Sequence, residues 1–148
     1  MIQHFDLCTI LPIDSMHDQV ITGIAEADDR IKFHFNELSF SFMSDYIPAR
    51  SYFESHREFH SCDVVFSEPD SPYAVIYQEK QAAFRGQFLS MRELIEFIGV
   101  HDYRIEVYNL LCGYELIVFQ GTFINKEGHY CDNCIIYVPA KGVEYVWK

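Results

Sequence analysis

The chain is poor in positive charge. Its 148 residues carry 11 Lys and Arg against 22 Asp and Glu, a formal net charge of −11 at pH 7. Phosphate backbones and anionic lipid surfaces repel a chain of this sign, so neither direct nucleic-acid binding nor a membrane surface is the expected partner. Long apolar runs are missing too, and no stretch approaches the roughly 20 residues that a membrane helix needs. There is no G-x-S-x-G and no Gly-rich phosphate loop, and no serine has a His and an Asp at a recognisable spacing. The commonest hydrolase and nucleotide-binding signatures are therefore absent. Without repeats, low-complexity tracts or linkers, residues 1–148 are expected to form a single domain. The opening "MIQHFDLCTILPID" has no basic region ahead of an apolar run, which makes a cytoplasmic location the expectation.

Apolar residues make up 49% of the chain and aromatics 16%, enough for a packed interior and too many for disorder. Their spacing is mostly period two. "QVITGIAEADDRIKFHFNELSFSF" reads as two strands about a tight turn at Asp28–Asp29. "CDVVFSEPDSPYAVIYQEK" gives two more around Pro69–Pro72. "YRIEVYNLLCGYELIVFQGTF" predicts a hairpin turning at Cys112–Gly113, and "CIIYVPAKGVEYVW" another about Pro139–Gly142. With "HFDLCTIL" at the start, the strand density predicts a mainly β (α+β) fold: an antiparallel β-sandwich or strongly bent sheet with one or two short helices. "SMRELIEFIG" carries helix signals, with Ser90 as N-cap, Glu93 completing a capping box and Gly99 as the stop. Met91, Leu94, Ile95 and Ile98 form its apolar stripe. A second helix is expected after Pro48, placing Tyr52, Phe53, His56, Phe59 and His60 on one face.

Five cysteines, an odd number, argue against a disulfide framework and for free thiols or a metal site. In "CDNC", Cys131 and Cys134 can both reach one tetrahedral ion, and His56 and His60 lie one helical turn apart. Together they predict a structural zinc site that ties the segment after residue 48 to the C-terminal strands. Cys62 is the main substitute ligand, followed by His129 and Cys112. A redox role for the pair fits poorly, because "CDNC" runs into the strand "IIYV" rather than into a helix N-terminus. "HREFH" is not the zinc-protease motif, since Arg57 stands where the glutamate belongs and Glu58 comes one position late. A zinc-dependent hydrolase with Glu58 as base is the enzymatic alternative, but the expectation is a non-enzymatic protein.

The acidity is uneven. Residues 1–70 hold 13 acids and 4 bases, while residues 71–148 hold 9 and 7. Asp14, Asp18, Glu26, Asp28 and Asp29 are the candidate binding residues, a negative field able to meet a basic surface on a partner. Phe40, Phe42 and Tyr46 are candidate apolar anchors beside them. In size, acidity and the "CDNC" candidate metal site the chain is similar to small acidic proteins of phages and mobile elements, particularly anti-CRISPR inhibitors of type II effector nucleases. That resemblance implies an inhibitor whose partner is a basic, nucleic-acid-handling protein such as a CRISPR effector nuclease. The chain also resembles the small, acidic, β-rich immunity proteins of bacteria, which implies capping of a toxin instead.

Overall fold

The computed structural model describes residues 1–5, 16–38, 51, 54–78 and 85–148. The strands are β1 (Ile2–Phe5), β2 (Val20–Ile21), β3 (Gly23–Ala27), β4 (Arg30–Phe35), β5 (Cys62–Ser67), β6 (Tyr73–Gln78), β7 (Arg85–Ser90), β8 (Arg104–Gly113), β9 (Leu116–Ile124), β10 (Tyr130–Pro139) and β11 (Gly142–Trp147), with helix α1 (Met91–His101) between β7 and β8. They form two antiparallel sheets, one of five strands in the order β1-β11-β5-β4-β3 and one of six in the order β2-β8-β9-β10-β6-β7. The expected sandwich-like α+β fold is the observed one.

Alternation selects the inward faces. Ile31, Phe33 and Phe35 of β4 lie in register with Phe66, Val64 and Cys62 of β5, and all six are buried. From the opposite sheet come Phe119, Cys134, Ile136 and Val138. Phe33 stacks on Phe119 at 5.0 Å and meets Phe66 edge-on at 5.6 Å, so one aromatic cluster joins the two layers. Gly121 in β9 is the close-packed point: a Cβ there would fall 2.6 Å from both the Glu106 carbonyl oxygen and an Ile105 methyl.

Helix α1 starts as its sequence predicts. Ser90 Oγ accepts from the Glu93 amide, and the Glu93 carboxylate accepts from the Ser90 amide at 2.7 Å. Met91, Leu94 and Ile98 are buried against β3, β6 and β7. The stop differs: Gly99 lies inside the helix, and Asp102, left-handed at φ 52°, ends it with its amide on the Ile98 carbonyl. Asp is among the few residues that tolerate this region, which gave Gly99 a rival that spacing alone does not reveal.

The expected hairpin about Pro139–Gly142 and the turn at Pro69–Pro72 take a different form. β5 and β6 flank Pro69–Pro72, and β10 and β11 flank Pro139–Gly142, yet the members of each pair lie in different sheets. These connections are arches that carry the chain across the sandwich. The β8–β9 hairpin is present and turns at Tyr114–Glu115, two residues beyond Cys112–Gly113.

Candidate protein-binding surface

The proposed zinc donors occupy different surroundings. Ser51 and Glu54 are helical, but residues 55–58 form a turn, so His56 and His60 do not share a helix face. The chain turns because it must enter β5. The amides of His60 and Ser61 both donate to the Lys148 carbonyl, at 2.8 and 3.1 Å, beside the β5–β11 ladder. His56 is buried with its ring 4.5 Å from Trp147 and its Nδ1 2.9 Å from Ser55 Oγ, whereas His60 is exposed. Cys134 faces the core between Ile76 and Gly121, and burial pushes its thiol up to about 12. Cys131 is exposed at a β-bulge, where β10 fits one extra residue between Tyr130 and Asn133, and its hydrogen bond pushes the Tyr103 phenol up. Among the substitutes, Cys62 is buried and its thiol is also pushed up by burial, Cys112 is half-buried and His129 exposed. No three His, Cys, Asp or Glu side chains among the described residues converge as a metal cluster.

The acidic candidates are gathered better. Glu26, Asp28 and Asp29 are exposed at the β3–β4 turn, with Asp28 at φ 52° and Asp29 at φ 55°. Positive φ at both central residues is the type I′ geometry that matches the twist of a tight hairpin. Three other connections join this turn at the same end of the sandwich. The Glu68 amide donates to the Asp29 carbonyl at 3.1 Å, Asp70 to Pro139 at 2.9 Å, and Ala140 to Glu115 at 3.1 Å. Glu68, Asp70 and Glu115 are exposed as well, so carboxylates from three parts of the sequence crowd one end. Two bases beside these carboxylates are engaged, Lys141 with Glu68 at 2.6 Å and Arg30 with Glu144 at 3.5 Å, and Lys32 lines the same groove as Asp28 and Arg30. Glu68 holds the Lys141 amine above its ordinary value. Asp18 stands apart, with its amide on the Val107 carbonyl and His17 Nδ1 3.0 Å from its carboxylate. Asp14, Phe40, Phe42, Tyr46, Tyr52 and Phe53 lie outside the described residues.

Bordering this end is an aromatic surface that the sequence reading missed. On the outward face of the six-stranded sheet, Ser90, Tyr73, Tyr137, Val118 and Leu111 lie side by side across β7, β6, β10, β9 and β8. The next row is Phe88, Val75, Ile135, Gln120 and Asn109. Neither row contains a charge. Tyr73 stacks on Tyr137 at 4.6 Å and 15°, and Phe88, 73% exposed, lies 6.1 Å from Tyr73. Further along, the Tyr77 and Tyr108 hydroxyls meet at 3.1 Å, and Tyr114 in the β8–β9 turn is 86% exposed. The available signal was the Tyr-x-Val-x-Tyr alternation of residues 73–77. Apolar residues on both faces of a strand, however, read equally well as full burial.

No family model, curated protein or solved structure matches the chain. No helix among the described residues is long and apolar enough to cross a membrane.

Proposed function

We propose that the protein is a non-enzymatic binding protein that docks its acidic end on a basic, nucleic-acid-handling protein and inhibits it. The observation carrying this reading is the set of six exposed carboxylates, Glu26, Asp28, Asp29, Glu68, Asp70 and Glu115, held on turns joined by backbone hydrogen bonds. A negative field fixed on rigid turns speeds encounter with a positive surface and sets orientation. Such a surface on a nucleic-acid-handling protein is the one its own substrate needs, so occupation amounts to inhibition. A CRISPR effector nuclease is the proposed target, by resemblance in size and acidity. A toxin domain is the second reading, and it would use the same surface. The hydrolase alternative has no converging donor set among the described residues to support it.

Capture with the whole chain as bait, beside the variant Glu26→Gln/Asp28→Asn/Asp29→Asn, tests this. Asn keeps the left-handed turn open while removing charge. The expected result is a basic nuclease or effector held by the wild type, lost from the variant and blocked in its cleavage assay. A captured toxin domain supports the second reading, and the absence of any basic partner overturns both.

A further inference from the structure

Single exposed rings are ordinary on a protein surface, but contiguous ones mark a docking site. Here strand register places Phe88, Tyr73 and Tyr137 on adjacent strands, with ring centroids 6.1 and 4.6 Å apart. The ladder adjoins the acidic end directly. Asp70 lies three residues before Tyr73, and its amide bonds the Pro139 carbonyl, two residues beyond Tyr137. Next to it, the Ala140 amide bonds the Glu115 carbonyl. An uncharged aromatic strip edged by carboxylates has the anatomy of a desolvated interface centre with a charged rim.

We propose that an arginine-bearing segment of the protein partner lies across this ladder, with its guanidinium groups against the rings and its charge facing Asp70 and Glu115. Arginine fits both halves of the surface. Its planar, weakly hydrated cation stacks on ring faces, and its fork of donors matches a carboxylate. A lysine ammonium answers the charge but, being more strongly hydrated, gains less from the rings. Phe88, with most of its ring open to solvent, is the natural stacking partner at one end of the ladder. The inference rests on the reading of the acidic end as the face turned to a basic partner, and it adds which chemistry fills the neighbouring strip.

Hexa-arginine and hexa-lysine peptides, titrated into the full chain at low salt with fluorescence anisotropy as readout, test it. The expected result is roughly threefold tighter binding of the arginine peptide, a preference abolished by Tyr73→Ser/Phe88→Ser while charge-driven binding persists. Should the double variant fail to fold by circular dichroism, Phe88→Ser alone serves, because that ring is already mostly in solvent. Equal binding of both peptides, unchanged by the ring substitutions but weakened by Asp28→Asn/Asp29→Asn, overturns the aromatic docking and leaves the acidic end in place. No binding of either peptide overturns the acidic reading and this inference with it.

Discussion

Asp63 shows how one buried charge on the outer face of the five-stranded sheet is made tolerable. Its side chain is 4% exposed, and its carboxylate accepts from Lys148 and lies 2.8 Å from His34 Nδ1. Burial pushes the carboxyl up, but the hydrogen bonds and positive charges of Lys148 and His34 together outweigh it and hold the group below its ordinary value of 3.8. A carboxyl depressed by folding stabilises the fold above its unfolded value, and that contribution is lost as pH falls through the folded one. Asp63→Asn is therefore expected to lower stability at neutral pH and to flatten its decline below about pH 4. Urea unfolding at neutral and acid pH checks it; parallel curves for the two proteins would contradict the account. The sequence names Asp63 as one more acid in a strand. Its role depends on His34 from the neighbouring strand and on Lys148, which no local pattern connects.

At the scale of elements, α1 is the most legible piece, because its start depends on residues close in sequence. Ser90→Ala removes the oxygen that caps the Glu93 amide and is expected to cost about 1 kcal/mol. Chemical denaturation checks this, and a change near zero would mean that packing on β3, β6 and β7 alone fixes the helix. The β3–β4 turn was legible for the same reason: Asp28–Asp29 between alternating strands is local turn chemistry. Sheet membership was not. The arches at Pro69–Pro72 and Pro139–Gly142 look like hairpin turns in sequence. Whether the chain pairs back or crosses the sandwich is decided by which inward face its next strand fills. The four proposed zinc donors do not converge among the described residues for a related reason. His56-x-x-x-His60 reads as a helix face only if the helix persists, and the pairing of residues 60 and 61 with Lys148 stops it. Within "CDNC", the bulge leaves Cys131 exposed and Cys134 in the core.

For the whole molecule, composition alone showed an acidic protein but not where its charge gathers. Glu26, Asp28 and Asp29 were chosen from sequence and stand on the crowded end, while Glu68, Asp70 and Glu115 join them only through folding. The aromatic strip arises the same way, because the sheet sets β10 beside the consecutive strands β6 and β7. The most direct test is the affinity for the captured basic partner across a salt series, for wild type and Glu26→Gln/Asp28→Asn/Asp29→Asn. Exposed charges are screened beyond a Debye length of about 10 Å at 0.1 M salt. The wild type should bind at least tenfold tighter than the variant at low salt, a difference of about 1.4 kcal/mol, and the two should converge as salt rises. Equal affinities with equal salt dependence would show that the acidic end does not face the partner.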